Sequence, residues 1–558
     1  MNRKLRCALA AAAALTLSLT GCGGDDGPPQ LAAATPAVRQ ACTTLASGFT
    51  FASTSITAAS VVPAGSVTFA GQPVAEHCVV TGAMNQRTGV NGSYAIGFEM
   101  RLPTAWNGRF YYQANGGTDG SVLAATGTLS NASALKQGFA VISSDAGHTA
   151  SQNPSFGIDP QARLDYGYQA VGKLTPMAKA MIATAYGKGP DRSYIGGCSN
   201  GGRHTMVAAS RYTDQYDGYL VGDPGTVLPH AALANTAGAQ AYAKFATNPA
   251  DLSTGFTQAE RLLVSKAVLA KCDALDGATD GLIQATKACQ SAFDLNRDVP
   301  TCTGARDGTC LSAAQKTAIA GLFAGAKTSN GTLIYSSWPY DSGFATSGWA
   351  FWKFTVPLIL DSGALGMIWQ VPPADPATFN GANFALTSNI DTLYQAIHAT
   401  NATYTEDSLS FMSPPHLEQV NTLRERGAKV MIYHGTSDPI FSSDHSVSVW
   451  ERWNQTYAGV ASNFARLFLV PGMNHCSGGP STDQFDMLTP LVNWVEQGQA
   501  PDSVVASARG PGNAGGVNSD VPATWSPTRT RPLCPYPQTA RLKTGATDLE
   551  SAASFSCE

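Results

Sequence analysis

The chain has 558 residues, a formal net charge of -4 at pH 7, and charged side chains at only 13% of its positions. This length allows a large core and at least two structural units. The near-neutral balance, with no long basic stretch, argues against nucleic acid as a partner.

The N-terminus has the pattern of a bacterial export signal. A basic segment, residues 2–6, precedes an apolar run from Ala8 to Leu19, and Thr20-Gly21-Cys22 follows. A small residue before a cysteine at this point is typical of a lipoprotein, so residues 1–22 are predicted to be a lipoprotein-type signal peptide with lipidation of Cys22. An ordinary signal peptide cut nearby is the alternative.

Residues 23–38 are predicted to be a flexible tether between this anchor and the folded protein. No later apolar stretch is predicted to span a membrane, so the membrane would be contacted only through the lipid. We therefore expect an exported protein, either a cell-envelope lipoprotein of the outer membrane or periplasm, or a secreted enzyme.

The first strand signals come early in the chain. Residues 94–102 and 109–113 are apolar or alternating, and Asn107-Gly108 between them is a turn signal. This arrangement predicts a β-hairpin. Residues 139–145 form a third strand candidate.

Strands then alternate with helices, which is typical of a parallel α/β sheet. Residues 164–186 are predicted to form a helix that leads to a short strand before Ser199, and residues 217–224 to form the next strand. From about 226 to 425 the pattern is irregular, and strand-type segments return at 428–435 and 465–472. An insertion at this point would lie over the carboxyl ends of the strands and act as a lid. The predicted units are an α/β domain in two parts, residues 39–225 and 426–558, and a lid domain, residues 226–425.

Ser199 is the candidate nucleophile. It lies in Gly197-Cys198-Ser199-Asn200-Gly201, a G-x-S-x-G element between a short apolar run and a helix-compatible segment. This context predicts a nucleophile elbow, a sharp turn from strand to helix that presents the serine hydroxyl above the sheet. Flanking glycines are needed because side chains would clash in so tight a turn.

A general base and an acid are expected after the last two strands, in the chain order of an α/β-hydrolase. His475 follows one strand and would take the serine proton, while Asp438 follows the preceding strand and would orient the imidazole. Asp444 is a rival acid. His434 and His445 are rival bases, although His434 is expected to shape the acid loop, and His204 is expected to be structural.

The oxyanion hole needs two backbone N–H groups directed at the developing negative charge. Asn200, directly after the nucleophile, is expected to supply one. Gly117, in the Asn115-Gly116-Gly117-Thr118 loop after an early strand, is expected to supply the other. A plain Gly-Gly turn is the alternative for this loop.

Ten cysteines remain after Cys7 and Cys22 are set aside, and an even number in an exported chain favours disulfides. A zinc site is disfavoured because no cysteine–histidine cluster has zinc spacing. Spacing alone does not fix the connectivity. Sequence order suggests the pairs Cys42–Cys78, Cys272–Cys289, Cys302–Cys310 and Cys534–Cys557, which leaves Cys198–Cys476 as the long-range pair.

An aspartate-rich loop follows Cys272. Asp273, Asp276 and Asp280 lie within eight residues, with two Asp-Gly steps. Calcium prefers several oxygen ligands from carboxylates and backbone carbonyls, although the spacing is not that of an EF-hand. The residues alone leave a calcium site and a pair of Asp-Gly turns equally open.

Together these motifs resemble the tannase/feruloyl esterase family of α/β-hydrolases. The resemblance is carried by Cys198-Ser199, by His475-Cys476 with an aspartate between them in sequence, by residues 98–110 and by the Asn115-Gly116-Gly117 loop. It implies an α/β-hydrolase fold with a large inserted lid, a disulfide between Cys198 and Cys476 beneath the triad, and five disulfides in all. It also implies a structural calcium ion in the lid, held by the side chains of Asp273, Asp276 and Asp280 and by the carbonyls of Ala278 and Leu282.

The family resemblance further implies a serine esterase for small aromatic esters, namely feruloyl or galloyl esters or, in one branch, mono(2-hydroxyethyl) terephthalate. Residues 354–420 contain no lysine or arginine. Because arginine binds a carboxylate best, the absence of these cations mildly disfavours an enzyme specific for the terephthalate monoester. Residues 349–352 and 367–369 are apolar and aromatic, and either cover a phenolic ring or form the lid core. A general carboxylesterase, a lipase or peptidase on the same fold, and a non-catalytic ligand-binding lipoprotein are the other functions considered.

Overall fold

The structure, a computed structural model, describes residues 29–558. The predicted signal peptide, the predicted lipidation site at Cys22 and the first part of the predicted tether lie outside these residues. A nine-stranded sheet forms the centre of the fold. Its strands, in chain order, are β1 Thr54–Val62, β2 His77–Gly89, β3 Gly92–Pro103, β4 Arg109–Gln113, β5 Ala140–Ser144, β6 Arg192–Cys198, β7 Gly218–Gly222, β8 Lys429–Gly435 and β9 Ala465–Val470.

The order of the strands across the sheet is β9-β8-β7-β6-β4-β5-β3-β2-β1. Strands β1, β2, β3 and β5 pair antiparallel, whereas every pair from β5 to β9 is parallel. All residues of β5, β7 and β8 are buried, as expected for parallel strands that are covered on both faces. The carboxyl ends of β6, β8 and β9 meet at one edge, and the candidate catalytic residues follow these strands.

The predicted hairpin between residues 94–102 and 109–113 is wrong. Asn107-Gly108 does form a turn, and Gly108 has a positive φ of 84°. However, β5 lies between β3 and β4, antiparallel to the first and parallel to the second. The physical reason is burial: β5 is apolar on both faces and is stabilised only in the interior of the sheet.

Sixteen α-helices accompany the sheet among the described residues. Helices α3, α4 and α15 pack on one face of the sheet, and α16 packs on the other. Both faces take part in the core because alternate residues of each strand point to opposite sides of the sheet. The predicted helix at 164–186 is one helical run of α2, a wider turn over Asp165–Gln169, and α3. The helices are α1 Leu45–Gly48, α2 Pro160–Leu164, α3 Ala170–Tyr186, α4 Asn200–Arg211, α5 Leu228–Ala243, α6 Gln258–Cys272, α7 Thr286–Ala292, α8 Leu295–Asp298, α9 Ala313–Phe323, α10 Ser347–Ala350, α11 Gly381–Thr387, α12 Ile390–Ile397, α13 Ser408–Met412, α14 Asn421–Glu425, α15 Ser443–Thr456 and α16 Leu488–Gln497.

Helices α5 to α14 all lie between β7 and β8, the part of the chain predicted to be the lid. One helical run there, Ser347–Trp369, is long and apolar enough by length and composition to cross a membrane, which the sequence analysis did not foresee. Within the protein, 67% of its most apolar window is buried, so this run forms part of the lid core.

The predicted tether of residues 23–38 is too long. Gln30 donates a hydrogen bond to the carbonyl of Val495 at 2.7 Å, and the Thr35 amide donates to Asp191 at 2.8 Å. Residues Ala37–Val38 then pair with Ala105–Trp106. This segment is therefore held along the α/β domain by backbone and side-chain hydrogen bonds, a long-range effect that its composition does not reveal.

Candidate active site

Ser199 occupies a sharp turn between β6 and α4. Its backbone has φ 66° and ψ −126°, an unusual conformation for a residue with a side chain, and such conformations are concentrated at functional sites. The flanking glycines allow close packing, because a Cβ on Gly197 or Gly201 would lie 2.2 or 2.3 Å from the carbonyl oxygen of Ala114. The Ser199 amide donates to the Gly222 carbonyl at 3.0 Å. These contacts give the geometry of a nucleophile elbow.

Asp438 and His475 form a buried pair at the ends of β8 and β9. Nδ1 of His475 lies 2.7 Å from Oδ2 of Asp438, and Oδ1 of Asp438 accepts the amides of Ile440 and Phe441 at 2.8 and 3.0 Å. Burial alone would raise the pKa of Asp438, but the charges and hydrogen bonds of His475 and His434 hold that pKa well below its usual range. Nε2 of His475 is buried without a hydrogen-bond partner among the described residues, so this atom is available to accept a proton.

The rival residues have other partners. His434 uses both ring nitrogens, Nδ1 at 2.8 Å from Ser446 Oγ and Nε2 at 3.0 Å from the Phe441 carbonyl, and lies 3.5 Å from Asp438. It therefore supports the acid loop, as expected. Asp444 accepts the Ser337 hydroxyl at 2.7 Å, and the His445 ring stacks on Tyr335.

The glycine loop after β4 lies next to the nucleophile. A Cβ on Gly116 would come within 3.9 Å of Ser199 Cβ, whereas a Cβ on Gly117 would meet no atom within 4 Å. Gly117 has a positive φ of 64°, which glycine adopts without strain. The loop thus leaves open space beside Ser199, and Asn200 begins α4 on the other side of the serine.

A disulfide joins Cys198 to Cys476, so the residues before Ser199 and after His475 are linked covalently across a sequence separation of 278. Oδ2 of Asp223 lies 3.4 Å from Cys198 Sγ, and its Oδ1 accepts the Gly435 amide at 2.7 Å. Burial raises the pKa of Asp223 to about 7. The remaining disulfides, in the pairing that sequence order suggests, are Cys42–Cys78, Cys272–Cys289, Cys302–Cys310 and Cys534–Cys557.

Two aromatic rings pack against His475. Trp352 of the lid meets the imidazole edge-on with centroids 4.6 Å apart, and Phe441 does so at 5.3 Å. Trp349 and Trp369 are both 2% exposed and belong to the apolar cores. The aromatic segments therefore have separate roles: Trp352, which is half-buried, is at the site, Trp349 belongs to a core within residues 239–354, and Trp369 belongs to the core that packs on the central sheet.

Lys353 is a cation of the lid that is not among the predicted site residues. It lies directly before residues 354–420, the stretch without lysine or arginine. Its Nζ lies 4.0 Å from the ring centroid of Trp338, in a small cavity that Asp438 also lines. Burial lowers the pKa of Lys353 to about 8. The only signal in the sequence is a single lysine among aromatic residues, and its position beside the acid depends on the fold.

The aspartate loop is compact and buried. Asp273 accepts the Asp280 and Gly281 amides at 3.1 Å, and Asp276 accepts the Ala278 amide at 2.9 Å. Burial, and then the charges of Asp280 and Asp273, raise the pKa of Asp276 to about 7. Ala278 and Leu282 are 2% and 1% exposed, and among the described residues their carbonyls accept no hydrogen bond. Carbonyls without a donor on buried residues, in a loop that also carries three aspartates, suit a hard cation.

The chain is similar in sequence to a family of known esterases. The family model described as tannase and feruloyl esterase matches residues 78–558. The chain is 40% identical over 524 residues to the mono(2-hydroxyethyl) terephthalate hydrolase of Piscinibacter sakaiensis, covering 86% of this chain and 85% of that protein. It is 29% identical over 490 residues to a probable feruloyl esterase B of Emericella nidulans, covering 83% of each.

The fold agrees with a solved structure. Feruloyl esterase B from Aspergillus oryzae superposes with a TM-score of 0.73 at 22% sequence identity, covering 93% of this chain and 99% of that chain. The predicted α/β-hydrolase fold is thereby confirmed.

Proposed function

The chain belongs to the tannase and feruloyl esterase family and is a carboxylic ester hydrolase, and we propose that it cleaves esters of aromatic carboxylic acids through an acyl-enzyme on Ser199. The observation that carries this proposal is the Asp438–His475 pair, which the Cys198–Cys476 disulfide links to the turn at the strained Ser199. The half-buried Trp352 ring on His475 supports an aromatic substrate, since a flat face can pack on its edge or face.

The reaction follows from the positions of these groups. His475 Nε2 takes the Ser199 proton while Oγ attacks the ester carbonyl, and the Asn200 and Gly117 amides stabilise the oxyanion. His475 then protonates the leaving alcohol, and Ser199 keeps the acyl group. Water, deprotonated by the same nitrogen, attacks the acyl carbon and releases the acid. Asp438 keeps the proton of the imidazole on Nδ1 throughout, because its carboxylate accepts that N–H.

Feruloyl and galloyl esters are the proposed substrates. Mono(2-hydroxyethyl) terephthalate is the second candidate, favoured by the name of the relative that is 40% identical. This monoester carries a free carboxylate that would need a cation. The described lid residues 354–420 contain no lysine or arginine. Lys353 lies just before this stretch, but it faces a small cavity that the Asp438 carboxylate already lines. We therefore place the phenolic esters first.

A panel of four esters tests this proposal: methyl ferulate, methyl gallate, mono(2-hydroxyethyl) terephthalate and p-nitrophenyl butyrate, each with the mature protein and with Ser199→Ala. We expect a phenolic ester to be preferred, and Ser199→Ala to lose at least about 1000-fold in kcat because the substitution removes the proposed nucleophile. Preference for the terephthalate monoester would favour the second candidate. Activity on butyrate alone would indicate a general esterase, and inactivity of the folded protein a ligand-binding lipoprotein.

We also propose that the aspartate loop binds one structural calcium ion. The ligands would be the carboxylates of Asp273, Asp276 and Asp280 and the carbonyls of Ala278 and Leu282, two buried residues whose carbonyls accept no hydrogen bond from any described residue. The ion would offset the negative charge of the buried Asp273 and Asp276 and stiffen the lid without taking part in the chemistry.

Removal of calcium is expected to lower the melting temperature by about 5 °C, because an ion that binds only the folded state stabilises it. The measurement is thermal unfolding with excess EGTA and with calcium restored. Asp276→Asn should melt low and no longer respond to EGTA, whereas Asp307→Asn, a change at a surface turn in the same region, should respond as the unchanged protein does. An EGTA response that persists in Asp276→Asn would contradict this site.

Export and lipidation complete the proposal. The five disulfides suit an oxidising compartment. The proposed anchor is a lipid on Cys22, with a tether that ends no later than Gln30, whose side chain donates a hydrogen bond to the Val495 carbonyl. The proposed partner is the small aromatic ester alone.

A further inference from the structure

A buried carboxylate connects the glycine loop to the helix that follows the nucleophile. Oδ2 of Asp119 lies 2.8 Å from Nε2 of His204 and 2.8 Å from Nδ2 of Asn200. The side chains of Asp119 and His204 are 2% and 3% exposed. Asp119 follows Gly117 by two residues, whereas Asn200 and His204 lie on the first turn of α4, so one oxygen accepts hydrogen bonds that cross between the two segments.

Burial of the Asp119 carboxylate is unfavourable for folding, which indicates that this arrangement has a function. Burying a charge costs several kcal/mol unless the partners are well placed. In addition, Asp119 has a positive φ of 54°, a conformation that few residues other than glycine adopt. The carboxylate is acceptor-only, so Nε2 of His204 must carry a proton. Burial and the nearby charge of Arg203 lower the pKa of His204, which favours the neutral ring.

The helix side of this connection is rigid. The Asn200 side chain donates to Asp119 through Nδ2, and its Oδ1 accepts from Arg203 Nε at 2.6 Å. The Arg203 side chain is fully buried and donates to the carbonyls of Gly167, Tyr166 and Met412. The side-chain amide of Asn200 is thus held through both its nitrogen and its oxygen.

The loop side is also held from behind. His148 Nε2 donates to the Thr118 carbonyl at 2.8 Å, and Asn153 Nδ2 donates to the Asp119 carbonyl at 3.1 Å. The carbonyls of Thr118 and Asp119 are therefore engaged by protein donors, whereas the space next to Gly117 is open.

We propose that Asp119, together with His204, is a positioning residue that sets the distance between the two halves of the oxyanion hole, the backbone amides of Gly117 and Asn200. This inference rests on the function proposed above. An oxyanion hole accelerates acyl transfer because its donors are fixed before the charge develops, and placement to within about 0.5 Å matters. Loss of the Asp119 carboxylate removes the direct connection between the two segments, and it should weaken binding of the transition state more than binding of the ester.

The test compares Asp119→Asn, which is isosteric, with Glu496→Gln. Glu496 is an equally buried carboxylate, with a side chain 1% exposed, that binds Arg109 and Tyr194 at the amino ends of β4 and β6, the opposite edge of the sheet. Each protein is assayed for kcat and KM on its best ester, for inhibition by phenylboronic acid, whose tetrahedral adduct with serine carries the oxyanion, and for melting temperature. His204→Gln, which keeps a donor, is paired with His204→Phe, which does not.

In Asp119→Asn we expect kcat to fall about 10- to 100-fold, since removal of a complete oxyanion donor costs 100- to 1000-fold. KM should change less than about threefold, and the inhibition constant of the boronate should rise by the same factor as kcat falls. His204→Phe should behave alike, and His204→Gln should retain most activity. Glu496→Gln should lose stability but not kcat.

Three results would overturn the proposal. These are an unchanged kcat in folded Asp119→Asn and His204→Phe, a loss of kcat without any change in boronate affinity, or an equal loss in Glu496→Gln, which would indicate general destabilisation. Failure of the proposed function is seen separately: if Ser199→Ala keeps its activity, then the site itself is wrong, whatever Asp119 does.

Discussion

Asp438→Asn is expected to lower kcat by about 10,000-fold while the protein remains folded. In the structure Oδ1 of Asp438 accepts the amides of Ile440 and Phe441, and Oδ2 accepts Nδ1–H of His475. An asparagine amide NH2 cannot face the two backbone donors, so it must turn toward His475 and donate to Nδ1. The imidazole proton then moves to Nε2, and the ring can no longer take the proton of Ser199.

Steady-state kinetics on the preferred ester measure this effect, with Asp444→Asn as the matched control. Asp444 is a neighbouring, partly buried aspartate that accepts a hydrogen bond from the Ser337 hydroxyl, so its replacement should leave kcat within about threefold. The reverse outcome, with a large loss in Asp444→Asn and a small loss in Asp438→Asn, would identify Asp444 as the acid.

Removal of the Cys198–Cys476 disulfide is also expected to have a large effect, on both activity and stability. The Cys198→Ser, Cys476→Ser double variant should lose about 100-fold in kcat/KM, because small displacements of a catalytic group cost that much. The bond connects the residue before Ser199 to the residue after His475, and both Ser199 and Cys476 have positive φ, 66° and 63°. The bond also closes a long segment of chain, so unfolding should become easier by on the order of 5 kcal/mol in a chain-entropy description.

The control is the Cys302→Ser, Cys310→Ser double variant. The disulfide that it removes closes only a short loop of the lid, so this variant should keep kcat/KM within about threefold. Activity and thermal unfolding of both variants are measured under non-reducing conditions. If the Cys198 variant keeps full activity after its melting temperature has fallen, the disulfide stabilises the fold without positioning the catalytic groups.

The candidate catalytic residues can be predicted from sequence because each is marked by its immediate neighbours. Ser199 lies between glycines that the elbow needs, and Asp438 and His475 directly follow apolar strands. The sheet order was not accessible in the same way. The turn at Asn107-Gly108 predicts adjacent strands, but β5 enters between them because it is buried on both faces, and this depends on segments distant in the chain.

Contacts between distant segments explain the other omissions. Lys353 is a lysine among aromatic residues in sequence, and only the fold brings it beside Asp438. His204 was expected to be structural, and nothing near it in sequence indicates Asp119, 85 residues away, as its partner. Residues 30–38 have the composition of a tether, yet they bond to Val495 and Asp191.

The C-terminal segment has a consequence for the order of assembly. Arg531 forms a buried ion pair with Asp280 of the aspartate loop, and Arg529 donates to the carbonyl of Asp280 at 2.7 Å. The lid loop is thus completed by residues that the ribosome adds some 250 positions later. A nascent or truncated polypeptide that ends before residue 529 leaves the buried Asp280 carboxylate without its arginine partner. The inserted helices and the central sheet should therefore reach their final state together, in one late cooperative step, and a shortened chain would be a substrate for proteases rather than a smaller esterase.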